Sequence, residues 1–146
     1  MSAEAAVMKY ANLRIGQAWT QRPAPANDFT FAPSPAGKIA KYYTAESSIE
    51  AYSGTKGQAG YDIELVIRIY EAQVGTAGAL LNVMTVSEQI RKRLEMPNAE
   101  NLSSIFGFDI IGCVQQNSNS ERIFSGPQTW AVNSSFYLIK IFTNGS

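Results

Sequence analysis

The chain has 146 residues, twelve basic and twelve acidic, so its formal net charge is zero. That length suits one domain with a buried core, and the balance excludes the overall basic excess that drives nonspecific phosphate binding. Histidine is absent and Cys113 is the single cysteine, which removes the commonest general base and metal ligand and any intrachain disulfide.

Met1–Met8 has neither a basic start nor a long apolar stretch and does not read as a signal peptide. No apolar run approaches the length of a membrane span, so no membrane partner is expected and the chain reads as intracellular in origin. Ser2–Tyr10, dominated by Ala, Glu, Met and Lys, predicts a short helix that must dock or fray. Leu13–Thr20 predicts a short strand with Leu13, Ile15, Gln17 and Trp19 on one side. Arg22–Gly37 carries Pro23, Pro25, Pro33 and Pro35, which remove donors and bias their predecessors to extended geometry. It reads as an arm, either a surface loop or a segment lying on a neighbouring subunit. Residues 1–40 thus form an N-terminal segment, and 41–146 an α+β core, within a single domain.

Ile39–Tyr52 predicts a strand with a bulge or break near Glu46. Ser53–Gly60, with three glycines and no large apolar residue, predicts a mobile loop. The clearest signal follows. In Tyr61–Glu71, Ile63, Leu65, Ile67 and Ile69 fall on one face of a strand, and Asp62, Glu64, Val66, Arg68 and Tyr70 on the other. One apolar face implies a half-covered antiparallel sheet, and the next helix is the candidate to cover it. That helix is Ala79–Glu95, with Leu80, Val83, Met84, Ser87, Ile90 and Leu94 near one stripe. Thr76 is a candidate cap. Arg91, Lys92 and Arg93 occupy its last turns, where cations favour the helix dipole, and Pro97 blocks extension.

Asn98 or Asn101 is expected to cap a short second helix through Ile105. Phe108–Gln115 predicts a strand, with Phe108, Ile110, Gly112 and Val114 alternating against Asp109, Ile111, Cys113 and Gln115. Gln116–Arg122, rich in Asn and Ser, predicts a turn. Trp130–Phe142 predicts a last long strand. Its end is apolar on both faces, so it is either central in the sheet or covered by another subunit. The expected fold is α+β: a mostly antiparallel sheet packed on one face by a main helix plus a short one.

Chemistry-bearing motifs are missing. There is no Gly-x-Ser-x-Gly elbow, and the glycines at 54, 57 and 60 are not followed by Gly-Lys-Ser/Thr. Glu46 and Glu50 read as solvated acids, and no Cys/His cluster offers a metal site. Cys113 reads as a small buried hydrophobe. No cofactor or catalytic residue is expected. Arg91, Lys92 and Arg93 read either as a solvated helix end or as a weak phosphate contact.

The order of elements adds a resemblance. Ser48-Ile49-Glu50-Ala51-Tyr52 followed by Tyr61–Glu71, then the helix, then Glu100-Asn101-Leu102-Ser103-Ser104-Ile105, and finally Trp130-Ala131-Val132 running into Phe136–Phe142, resembles the tail terminator family of long-tailed bacteriophages over residues 45–142. Residues 1–40 depart from the family, which opens with a longer amphipathic helix and a short strand; this leaves room for a related head-to-tail joining (neck) protein. The resemblance implies a structural virion protein without enzymatic activity. It would form a ring, expected as a hexamer, on the end of the tail tube, stop polymerisation and join tail to head. Its partners would be its own copies, the tube protein and a head connector, with DNA passing through the lumen without sequence reading. Lys56, Gln58, Asn117, Asn119 and Arg122, on the loops Ser53–Gly60 and Gln115–Gly126, would reach partners. Arg91, Lys92 and Arg93 would be the lumen-facing candidates. The competing reading is a non-catalytic α+β module that binds a peptide or protein by a sheet edge or groove.

Overall fold

The structure, a computed structural model, describes residues 2–19, 41–55, 58–72, 78–96, 104–105, 107–125 and 128–143. Its elements are α1 (Ala3–Ala18), β1 (Lys41–Thr55), β2 (Gln58–Ala72), α2 (Ala79–Leu94), β3 (Ser104–Ile105), β4 (Phe108–Ser125) and β5 (Gln128–Thr143). The strands form one antiparallel sheet in the order β1-β2-β5-β4-β3. This is the expected α+β fold, with two hairpins flanking a helical segment.

The alternation in β2 sets the core. Ile63, Leu65, Ile67 and Ile69 are buried on the face covered by helices, each worth about 1.5–3 kcal/mol of apolar transfer. Register aligns them with Ile139, Tyr137, Ser135 and Asn133 of β5. The doubly apolar end of β5 follows from its place between β2 and β4. On the opposite face Tyr70, Trp130 and Val132 make a second buried cluster, with Ala72 and Ile123 against it.

Helix α2 forms as expected, and its stripe is Ala79, Val83, Ser87, Ile90 and Leu94. Met84, assigned to that stripe from the sequence, is instead 49% exposed, and Leu80 is half-buried. Gly78 occupies the N-cap position, and Thr76 lies outside the described residues.

The N-terminal expectation needs correction. α1 is a single helix of 16 residues, so Leu13–Ala18 continue the helix rather than forming a strand. Its buried stripe is Ala3, Ala6, Val7, Tyr10, Ala11, Arg14 and Ile15, a three- and four-residue spacing. Arginine in that stripe and exposed Leu13 beside it disguise the period. Ser2 caps the first turn, accepting from the Ala5 N–H at 3.1 Å. The proline-rich arm lies outside the described residues.

Other boundaries move because pairing overrides local propensity. β1 pairs with β2 continuously past Glu46, and its irregularity falls between Ile49 and Ala51. The predicted loop Ser53–Gly60 is largely strand: Ser53, Gly54 and Thr55 pair with Gly60, Ala59 and Gln58. Ser104 and Ile105 are a strand, paired with Asp109 and Phe108, rather than the end of a short helix. The predicted turn Gln116–Arg122 is the middle of β4, paired with β5 from Asn117 onward. Bulges at Ile110/Gly112 and Gln115/Asn117 shift the phase of β4, so Phe108, Ile110 and Cys113 are buried together while Val114 is exposed.

Candidate functional site

α1 lies over β1 and β2, and α2 over β2, β5 and β4. The two helices are locked end to side. Tyr10 Oη donates to the Leu94 carbonyl at 2.7 Å. Arg14, fully buried, donates through Nη2 to the Met96 carbonyl at 2.6 Å and through Nη1 to Gln17 Oε1 at 2.9 Å. Its guanidinium also lies over the Tyr10 ring, 5.4 Å from the centroid. A helix leaves its last carbonyls unpaired and negative; here the Tyr10 phenol satisfies that of Leu94, and the Arg14 cation takes the Met96 carbonyl just beyond the helix. Burial pushes the Tyr10 hydroxyl up to about 12.

Beneath α2, on the β4 side, the sheet turns polar. Ser87 Oγ lies 2.9 Å from Ser135 Oγ, and Ser135 donates to Asn133 Oδ1 at 2.7 Å. A hydroxyl has one proton, so Ser135 accepts from Ser87. Asn133 Nδ2 donates to Ser120 at 2.8 Å and Ser118 at 3.2 Å, and Ser118 lies 3.2 Å from Ser135. Gln115 Nε2 reaches the Tyr137 hydroxyl at 3.3 Å, which burial also pushes up to about 12. This network floors a groove of about 360 Å³ between α2 and β4, with Leu80, Met84 and Glu88 on its helix side.

A second cleft, about 380 Å³, lies across α2 and is lined by Trp19, Tyr70, Glu71, Leu81 and Asn82 among others. Its buried Glu71 accepts from Asn82 Nδ2 at 2.9 Å. Among the described residues no three acids or thiols converge as a metal cluster would require. Cys113 is buried and its thiol is pushed up to about 12 by desolvation, which keeps it protonated and inert.

Among the described residues the sheet has two open edges. β1 has β2 on one side and, among the described residues, no strand on the other. β3 covers only Phe108 and Asp109 of β4, leaving Ile110–Ser125 without a second partner strand among the described residues.

The structure redistributes the residues singled out from sequence. Asn117, Asn119 and Arg122 are exposed but stand on β4, not on a loop, and Gln58 opens β2. Lys56 lies outside the described residues. Arg91 is engaged: Nε donates to Glu88 Oε2 at 3.0 Å, Nη2 to Glu88 Oε1, and Nη1 to Glu95 Oε1 at 3.2 Å. These partners raise the Arg91 pKa and lower that of Glu88. Lys92 and Arg93 are exposed on the same turn. The Ser/Asn network was not anticipated. The Asn and Ser residues at alternate positions 118, 120 and 133, 135 carry a strand period, but turn propensity outweighs it in a sequence reading.

No known family profile matches the chain, and no curated protein does. Among solved structures it is similar to a chain of the virion of a native gene transfer agent particle. That match has a TM-score of 0.63 and 11% identity and covers 96% of this chain and 99% of the other. At that identity the likeness is one of fold, and it spans nearly the whole of both chains.

Proposed function

We propose that this chain is a structural subunit of a phage-like particle, and within it a ring-forming protein at the end of the tail tube, a tail terminator or neck protein. The observation that carries the reading is the fold shared over nearly the full length with a virion chain of a gene transfer agent particle. α1 adds to it: the opening helix runs for 16 residues, longer than the Ser2–Tyr10 helix expected from the sequence.

In this reading the ring stops tube polymerisation and presents a surface to the head, and DNA passes through its lumen without sequence recognition. Lys92 and Arg93, exposed on the last turn of α2, carry the proposed phosphate contact, with Arg91 held by Glu88 and Glu95 beside them. Two exposed cations per copy bind weakly but multiply around a ring.

The test is native mass measurement and negative-stain imaging of the purified chain, alone and with preformed tail tubes. Rings of one defined size, seated on tube ends and blocking further growth, are expected. A strict monomer at every concentration that leaves tube growth unaffected overturns the reading. The second reading, a peptide-binding module, is favoured by the α2–β4 groove beside an open strand edge. It predicts a monomer or dimer that takes one extended peptide per chain.

A further inference from the structure

We infer that the open edge of β4 takes the open edge of β1 of a second copy, so that the sheet continues from subunit to subunit in one direction. The inference rests on the ring reading and names the surfaces that build the ring.

Strand direction is the first argument. Every pair in the sheet is antiparallel, so β1 and β5 run one way and β2 and β4 the other. A neighbour's β1 placed beside β4, with its helices on the same side, is therefore antiparallel to it. The alternation passes across the boundary unbroken, and the two edges are different surfaces. Such a contact is heterologous, and repeated copies close into a ring or run on as a filament.

Length is the second argument. β1 has 15 residues, an edge about 50 Å long at about 3.4 Å per residue, and the open part of β4 is of similar length. A standard interface buries about 800 Å² per partner, which an edge of that length meets with a strip about 16 Å wide. Side chains on both faces of two paired strands supply that width.

The third argument is how poorly the β4 edge is guarded. Natural edge strands carry charges or prolines that discourage pairing. Residues 110–120 of β4, Ile-Ile-Gly-Cys-Val-Gln-Gln-Asn-Ser-Asn-Ser, contain neither. Ile111 and Val114 stand 59% and 56% exposed on this strand, and Ile49 stands 44% exposed on β1. Two bulges twist the edge without closing it.

Pairing also completes the groove. Ile49 aligns with Ile63 on the helix-covered side of the sheet. In a neighbour added to β4, that side faces the α2–β4 groove, whose helix wall is Leu80 and Met84.

The experiment uses two full-length variants that guard one edge each. Val114→Lys with Asn119→Lys charges β4, and Ser48→Lys with Ile49→Lys charges β1; all four positions are exposed. Far-UV circular dichroism and thermal melting establish that each variant stays folded. Each alone is expected to lose the wild-type oligomer and run as a monomer. Mixed in equal amounts they are expected to give a one-to-one dimer and nothing larger, because one good β1 edge and one good β4 edge remain. Amides of Ile110–Ser125 are expected to gain hydrogen-exchange protection in the wild-type oligomer. Either variant assembling like wild type, or two monomeric variants that fail to complement, overturns the edge assignment and leaves the ring reading standing. A wild-type chain that never assembles overturns both.

Discussion

The Tyr10 hydroxyl donates a 2.7 Å hydrogen bond to the carbonyl of Leu94, 84 residues away. With Arg14 on Met96, it makes α1 the cap of α2. Replacing Tyr10 by Phe keeps the ring and removes the donor, stranding a buried carbonyl. A loss of about 1–3 kcal/mol in unfolding free energy is expected, read from urea denaturation with an unchanged m-value. Arg14→Met fills the same space, leaves the Met96 carbonyl unpartnered by α1, and is expected to lower Tm alongside it.

Ser87 and Ser135 hold α2 to the sheet through one link of a longer chain of hydroxyls and amides. Ser87→Ala is expected to cost about 1 kcal/mol. Ser135→Ala is expected to cost more, because Asn133 and Ser118 lose a partner with it. The double variant is expected to lose less than the sum of the two, by about 0.5 kcal/mol or more. Additive losses would show that the link contributes nothing of its own.

Alkaline pH is expected to unfold the chain early. Tyr10 and Tyr137 rise from 10.0 to about 12, and Cys113 from 9.0 to about 12, chiefly by burial. A group whose folded pKa is raised binds its proton more tightly when folded. Its stability contribution is whole below the unfolded value and is lost as pH climbs to the folded one. Stability should therefore decline from about pH 9 toward about pH 12. Ultraviolet titration should show two tyrosines ionising only with unfolding. Ionisation of all seven tyrosines near 10 in the folded protein would refute this.

Cys113 is expected to resist a thiol-specific chromogenic reagent until the chain unfolds, so that labelling tracks the denaturation curve. Cys113→Ala, which removes about one methylene's worth of buried surface, is expected to cost about 1 kcal/mol. Rapid labelling under native conditions would contradict the packing of β4 against its neighbours.

At the end of α2 the three basic residues are expected to separate. Arg91→Ser breaks two carboxylate contacts on the helix surface and should shift Tm only slightly. Lys92→Ser with Arg93→Ser changes two exposed side chains and should likewise shift Tm only slightly. In assembled particles the latter pair is expected to weaken DNA retention in a salt-dependent way. Retention unchanged at low salt would remove the helix end from the DNA path.

The sequence by itself determined the parts whose signal is local. The alternation of Ile63, Leu65, Ile67 and Ile69 needs only neighbours two apart, and it placed β2 and its buried face. The stripe around Val83, Ile90 and Leu94 placed α2, and the doubly apolar end of β5 narrowed that strand to a central place or one covered by another subunit. What the tertiary structure decided depends on partners far along the chain. Gln116–Arg122 has every mark of a turn, yet β5 pairs with it from Asn117 onward, and Asn133 and Ser135 satisfy its serines. Leu13–Ala18 stay helical because Arg14, costly to bury alone, finds the Met96 carbonyl just past the end of α2. The two edges that carry the assembly proposal, open among the described residues, appear only when the five strands are set in order. No local pattern states which strand will stand outermost, because strand order is a long-range choice made by burial and pairing together.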